Sequence, residues 1–398
     1  MSIVKFLNDG NILNNLHISL TEFRNESRLL KEASSLVKEQ VFDKVYVAAL
    51  HSDDLELNQS CGDNIYVRRF KLFTRGYGKN LIVQLVKYIE YCINICFYYK
   101  NKKISCVNVH SLGLLPLGVL LKYFWNVSLV YDAHELETET NGAKGLRKKL
   151  SKWLERRLIK HAEMTIVVSD SIADWYSKEY AIQRPPVVLN APNLRDLKRN
   201  NHFREQLGIR EEQVILLYQG GLMRGRGVHL ILEAFSARSD DKVVAVFMGY
   251  GELQKDIQAA AVNNNIFFYP AVAPQVVLEY TASADFGISL IENTCLSYYY
   301  CMPNKLFEYA MAGLPVLVSN MKDMSELVKK NQMGAVISDF SAVGINRAID
   351  NFLVQNLSAM KINAYRVACE HAWEVQEQKM LGAYRAIGFS AAPQKVEK

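Results

Sequence analysis

Lys305 and Glu308 stand three residues apart in the run PNKLFEYAMAGLPV, residues 303–316. Proline at the start, Gly313 near the end and Pro315 beyond it read as a helix with both boundaries marked. Asn304 and Lys305 then occupy the first helical turn, where free N–H groups and the helix dipole attract an anion such as a diphosphate. Glu308 shares a face with Lys305. A cation for phosphate and a carboxylate for a ribose diol suit a nucleoside diphosphate sugar; a surface Lys–Glu pair on an ordinary helix is the competing reading. The preceding strand is expected to end near Leu290, so the intervening loop lies at the carboxyl end of a parallel strand, where open α/β sheets bind ligands.

Two further segments of the second half have the same character. LLYQGGLMRGRGVHLILEAF, residues 216–235, reads as strand, glycine-rich turn and helix. Gly220 and Gly221 permit close approach of backbone to phosphate, Arg226 at the helix entrance can neutralise it, and Arg224 is a second candidate. VVAVFMGYGELQKDIQ, residues 243–258, carries Gly249 and Gly251 at a strand end, where turn residues are as good a reading as ligand contacts. In the first half, SLVYDAHELE, residues 128–137, places Asp132, His134 and Glu135 just after a strand. His134 is the candidate there, against a histidine anchored to nearby backbone. It has no partner histidine at a chelating spacing, so no metal site is expected.

The elements that position these residues alternate short β-rich runs with helical patterns, the signature of parallel sheets covered by helices. In the first half, strands are expected near 15–19, 44–50, 65–70, 104–110, 128–132 and 165–169, with helices at 26–40, 79–100, 112–125, 145–161 and 170–179. A linker rich in proline, asparagine and charge follows at 183–201. The alternation then restarts, with strands at 214–219, 243–249, 266–269, 286–290, 316–319 and 334–337 and helices at 227–236, 252–263, 274–283, 304–312 and 324–331. A helical tail at 358–387 is expected to brace the first domain. The expected domains are residues 1–190 with 373–398, and 200–372.

Composition narrows the function classes. The N-terminus lacks a basic region followed by an apolar run, so a secretory signal is not expected. Residues 81–99 are long enough to span a bilayer but carry Gln84, Lys87, Glu90 and Asn94, and are read as a buried helix. Seven cysteines without a C-x-x-C pair fit reduced thiols in the cytoplasm. The net charge of +6 is modest, but residues 144–160 are dominated by Lys and Arg with Glu155 as the one acid. That basic amphipathic helix could lie on an anionic bilayer or bury its leucine stripe in the fold. No nucleic-acid reader motif is visible, and no G-x-G-x-x-G follows the first strand, which argues against a nicotinamide enzyme.

The run PNKLFEYAMAGLPV resembles the donor-site signature of glycosyltransferases of the GT-B fold, two Rossmann-like domains facing a cleft, and in particular the family 4 group that builds bacterial polysaccharides. Residues 216–235, 243–258 and FFYPAVAP at 267–274 match that family in its order across nearly all of the second domain. The resemblance implies that Glu308 holds the ribose and that Arg226 and Lys305 clamp the diphosphate. It also implies that Gly220, Gly221, Gly249, Gly251 and Asn304 line the donor site, that residues 267–274 meet the base, and that His134 faces the sugar from the first domain. The loop SLTEFRNESR, residues 19–28, would border the acceptor. Two positions depart from the family: Tyr300 stands where a Glu is usual and Gly221 where an Arg is common, so Glu292 or loop backbone would take over the contact to the sugar.

The implied activity is sugar transfer from a nucleoside diphosphate donor, most often UDP-linked, to a hydroxyl of a lipid-linked or related glycan. It would proceed with retention, without metal or cofactor, in capsule, O-antigen or exopolysaccharide synthesis. If the enzyme inverts instead, His134, Glu22 and Glu26 are the places to look for a base. The expected location is cytoplasmic, with residues 145–161 against the anionic inner membrane face. The rivals are a nucleotide-sugar epimerase and a non-catalytic subunit supporting a partner transferase.

Overall fold

Two sheets carry the chain, as a computed structural model describing residues 12–24, 26–78, 80–261 and 265–390 shows. The first holds β1 (Asn14–Ile18), β2 (Lys44–Leu50), β3 (Asn58–Ser60), β4 (Ile65–Phe70), β5 (Ile104–Val109), β6 (Ser128–Ala133) and β7 (Met164–Val167). Their order is β3-β4-β2-β1-β5-β6-β7, parallel except for β3 against β4. The second holds β8 (Val214–Gly221), β9 (Val243–Tyr250), β10 (Ile266–Pro270), β11 (Phe286–Ser289), β12 (Val316–Ser319) and β13 (Gly334–Ile337). All of its pairs are parallel, in the order β10-β9-β8-β11-β12-β13.

The described residues fall into two units: those up to Val168 with Ala173–Val188 and those from Glu377 on, and Ser169–Ile172 with Leu189–Gln376. In the second unit the apolar runs of β8 and β9 divide residue by residue between two cores. Ile215, Leu217, Val244 and Val246 lie on one face, and Leu216, Tyr218, Val243, Ala245 and Phe247 on the other. Helices cover both faces, which is why these strands read as continuous apolar runs rather than alternating ones.

The first sheet is different at its centre, where β1 and β5 carry the fully buried polar residues Asn15, His17 and Asn108. Asn15 Nδ2 donates to Asn108 Oδ1 at 3.0 Å, and Asn108 Nδ2 donates to the Tyr384 hydroxyl at 2.6 Å. Tyr384 belongs to the helix Trp373–Ala386, so the end of the chain packs into the first unit. The tail is two helices rather than one, Leu357–His371 and Trp373–Ala386. Among the elements that escaped the sequence reading are the helix His202–Leu207 just after the expected linker, β3, and the helix Ala342–Leu353. Residues 1–11, the expected helix start at Lys79, the expected helix end at Asn263 and the tail beyond residue 390 lie outside the described residues.

One expectation is overturned. The helix Leu81–Tyr99 forms as expected but is not buried. Tyr91, Ile95 and Tyr99 pack inward, while Ile82, Leu85, Val86, Ile89, Ile93 and Phe97 make an outward stripe, with Ile82 74% and Phe97 68% exposed. The helix is apolar on two faces, and a pattern that marks both faces cannot say which one meets the sheet. Its two charged residues face neither: Lys87 donates to the Tyr77 carbonyl at 3.0 Å, and Glu90 accepts from the backbone N–H groups of Phe73 and Thr74.

Candidate active site

In the second sheet, connections run outward from β8 through β9 to β10 on one side and from β11 through β12 to β13 on the other. The chain therefore reverses between β8 and β11, the place where an open α/β sheet leaves a crevice at its carboxyl edge. Gly220 and Gly221 end β8 at that edge, and the helix Asn304–Met311 follows β11. Sequence and topology thus bring Gly220, Arg226, Lys305 and Glu308 to one place.

Lys305 lies across the end of β8, its Nζ 3.7 Å from the centroid of the Tyr218 ring. Gly220 takes a φ of +113°, a backbone conformation that favours glycine, and Lys305 Cε passes within ordinary contact distance of it. Burial, and then the nearby Arg226, push the Lys305 ammonium down to about 7. The Arg226 guanidinium stacks 4.6 Å from the centroid of Tyr298. Neither cation has a carboxylate within ion-pair distance among the described residues. Two cations held together, with the Glu308 charge acting on Lys305 but no carboxylate in direct contact, are poised for an anion.

The carboxylate of Glu308 is fixed from behind. Gln219 Nε2 donates to it at 2.5 Å, and Gln219 Oε1 accepts from the Thr281 hydroxyl at 2.8 Å. Asn304 is exposed at the helix start, where Pro303 is the N-cap and supplies no side-chain cap. Gly249 supports the site by its smallness, since a Cβ on it would meet the Gly220 carbonyl oxygen at 1.9 Å. Gly251 follows β9 and packs on the backbone of Leu222. Arg224 is exposed, its N–H donating to Glu252 Oε1. Tyr300 ends a short helix, Leu296–Tyr299, that the sequence reading missed, and Lys322 stands 5.5 Å from its ring. Glu292 donates its backbone N–H to the Gly225 carbonyl at 3.1 Å, which sets it beside the turn that carries Arg226. Tyr218, Gln219 and Tyr298 were not singled out from the sequence, although the aromatic and amide side chains just before Gly220 were a visible signal.

In the first unit, connections diverge between β1 and β5, and the carboxyl edge there holds a chain of polar side chains. His134 Nε2 lies 2.8 Å from Asp132 Oδ2, His110 Nδ1 lies 3.1 Å from the same oxygen, and His17 Nδ1 lies 2.8 Å from His110 Nε2. Arg28 grips Asp132 with Nε and Nη2 at 3.1 and 2.8 Å, and its Nε also stands 2.9 Å from Glu32. His134 is thus anchored to a carboxylate, and its Nδ1 is the nitrogen turned away from Asp132.

Burial opposes charge on every member of this chain, and the neighbours decide which one keeps it. For Asp132, burial is outweighed by Arg28 and His134, and its carboxyl is held well below the usual range. For His134, burial is outweighed by Asp132, and its pKa rises. In His110 and His17 burial wins, and both are lowered. Glu32 is pushed above the usual carboxylate range by burial and then by Asp132. Ligand atoms of His17, Glu32 and His110, and of His110, Asp132 and His134, lie close enough to hold a metal ion. The guanidinium of Arg28 already stands between the two carboxylates, and its charge is the one they compensate. The first unit also holds Glu22, paired with Arg24 and Arg75, and Glu26, which precedes the helix Ser27–Lys38.

Residues 199–367 match the model of glycosyl transferases group 1, and residues 36–193 match that of glycosyltransferase family 4. The chain is 24% identical over 259 residues to the alpha-monoglucosyldiacylglycerol synthase of Streptococcus pneumoniae, a match covering 61% of this chain and 57% of that protein. It is 28% identical over 319 residues to the lipopolysaccharide 1,2-N-acetylglucosaminetransferase of Salmonella typhimurium, covering 74% and 76% of the two. Among solved structures it is similar to sucrose-phosphate synthase from Thermosynechococcus elongatus, with a TM-score of 0.77, 15% identity, and 95% and 99% of the two chains covered. It is also similar to Anabaena HepE in complex with UDP-glucose, with a TM-score of 0.70, 14% identity, and 94% and 99% covered. At such identities the solved structures establish the fold. With both halves matched by glycosyltransferase models, the chain belongs to the glycosyltransferases of the GT-B fold, of the family 4 type.

Proposed function

We propose that the protein transfers a sugar from a UDP-linked donor to a hydroxyl of a lipid-linked oligosaccharide or related glycan in surface polysaccharide synthesis. The observation that carries the donor half of this reading is the pair Lys305 and Arg226, two cations with no carboxylate in direct contact among the described residues, at the carboxyl edge of β8 and β11. As the bond to the sugar breaks, negative charge grows on the departing diphosphate, and fixed cations stabilise that state more than the ground state. Two cations suffice for the leaving group, so the reaction needs no metal or other cofactor. Glu308, held by Gln219, takes the ribose diol, and Asn304, Gly220, Gly221, Gly249 and Gly251 border the donor. His134 hydrogen-bonds the transferred sugar, and the anomeric configuration is retained. With Tyr300 in place of the usual Glu, Glu292 is the carboxylate best placed to meet the sugar. The solved structure of HepE in complex with UDP-glucose supports the uridine donor, and the two curated relatives, named for diacylglycerol and lipopolysaccharide products, support the lipid-linked acceptor.

The acceptor's anchor suggests where the first unit rests. Along Gly145–Leu158, Leu146 is 83% and Trp153 is 54% exposed, so the leucine stripe is not spent on the core. Glu155 is turned inward to the hydroxyls of Tyr131, Tyr176 and Tyr180, and Arg147, Lys149, Arg157 and Lys160 have no carboxylate partner among the described residues. The crossovers from β4 to β5, β5 to β6 and β6 to β7 advance in one direction, so right-handed connections put Leu81–Tyr99, Leu115–Trp125 and Gly145–Leu158 on one face of the sheet. Apolar stripe and basic helix then share a surface that an anionic cytoplasmic leaflet fits, each buried aliphatic or aromatic side chain being worth up to about 1.5–3 kcal/mol.

The test is product analysis with UDP-sugars and a lipid extract as acceptor source. Sugar transfer to lipid with UDP released supports the proposal. Conversion of the sugar nucleotide without acceptor would make the protein an epimerase, and UDP binding without turnover of any donor would favour a supporting subunit.

A further inference from the structure

At the end of the first sheet opposite His110 and His134, the amino ends of β2 and β4 open on a cavity of about 390 Å³. Lys44 begins β2, Tyr66 lies at the start of β4, and Tyr98 and Lys102 come just before β5, so all of them sit at amino ends. His110 and His134 follow the carboxyl ends of β5 and β6. In parallel strands these are opposite edges, so the cavity is not where the glycosidic bond forms.

Its walls combine aromatic faces with uncompensated charge. Tyr46 and Tyr66 are partners across β2 and β4, and their rings stack at 5.8 Å. Arg68 stands 5.2 Å from the Tyr98 centroid, and Lys102 stands 5.7 Å from Tyr98 and 6.0 Å from Tyr46. Lys44, Arg68 and Lys102 line the cavity with no carboxylate among its lining residues, and none of the three has an ion-pair partner among the described residues. Arg68 gives one N–H to Asn58 Oδ1 at 2.9 Å, and its Nε is buried without a hydrogen-bond acceptor. Three like charges line one opening, and guanidinium and ammonium groups are the usual donors to carboxylate and phosphate. Tyrosine faces beside them offer a flat, partly apolar surface for a ring with a polar rim. The volume lies at the small end of the range for ligand sites, enough for one or two sugar rings.

We propose that this cavity is a second saccharide site, which holds an acidic sugar, one carrying a carboxylate or a phosphate, away from the point of transfer. In a transferase acting on a growing glycan, such a site retains the chain by a unit already in place. It rests on the proposed glycan acceptor, not on the assignment of the donor residues.

Calorimetric titration of the whole protein, kept saturated with UDP, tests it with three probes: tri-galacturonic acid, galactose 1-phosphate and neutral trigalactose. At least one acidic probe should bind at least tenfold more tightly than trigalactose and weaken as salt is added. The arm that binds assigns the anion as carboxylate or phosphate. The double substitution Arg68→Ala, Lys102→Ala should lower that affinity at least tenfold, and Tyr66→Ala should lower it too, with the melting temperature and UDP binding unchanged. Equal binding of trigalactose, acidic binding that survives the double substitution, or no binding of either acidic probe would overturn the proposal.

Discussion

Lys305 is the residue whose charge depends most on what occupies the site. With its ammonium pushed down to about 7 in the free protein, it is largely neutral at pH 8, and a bound diphosphate favours the protonated form. Binding therefore takes up a proton, and UDP affinity should fall as pH rises from 7 towards 9, by at most tenfold per unit. Calorimetry in buffers of different ionisation heat measures that uptake directly; binding that releases protons or takes up none would contradict the assignment. Lys305→Ala should weaken UDP about 10- to 100-fold, the worth of a charge-assisted contact. Asp132→Asn is expected to act on the other unit. It leaves Arg28 buried without its main partner, at a cost of about 3–5 kcal/mol in a urea titration, and it removes what raises His134, whose titration by NMR should move down. Because the folded-state pKa of Asp132 is depressed, the wild-type protein holds this stability above the ordinary carboxylate range and loses it as pH falls below that range. The spacing of Lys305 and Glu308 was legible because three residues of helix set it. Their support was not: Gln219 is 89 residues from Glu308, and His17 is 93 from His110, contacts that only the folded sheet creates.

Among elements, the strand endings do most to shape the donor site. β8 and β9 run so close at their carboxyl ends that Gly249 has no room for a side chain. Gly249→Ala should cost at least about 1–3 kcal/mol from overpacking, read as a lowered melting temperature, and should weaken UDP because Gly220 must shift; an unchanged melting temperature would show that the backbone gives way freely. The helix Leu81–Tyr99 makes the opposite point. Its existence was legible from composition, its orientation was not, since apolar residues mark both of its faces. Ile89→Glu on the outward stripe should reduce cosedimentation with vesicles containing anionic phosphatidylglycerol several-fold and leave UDP binding unaltered. Wild-type protein that ignores such vesicles would remove the bilayer from the account, and a change of oligomeric state in the variant would make the stripe a contact between copies.

At the scale of the whole molecule, alternating β and helical patterns made both sheets legible, because a parallel strand needs a crossover before its neighbour can form. What pattern could not supply was strand order, and strand order is what locates the crevices, between β8 and β11 and between β1 and β5. The polar centre of β1 was likewise hidden, since Asn15 and His17 in a strand read as exposed positions until Asn108 and His110, distant in sequence, are seen beside them. The most direct test of the donor assignment is a thermal-shift titration with UDP, GDP and ADP on the wild-type protein and on Lys305→Ala. UDP should raise the melting temperature of the wild type, by an amount equivalent to about 2.7 kcal/mol at a hundredfold excess over Kd, with far less in the variant at the same concentration. No shift with any nucleotide in folded protein, or an equal shift in Lys305→Ala, would contradict it.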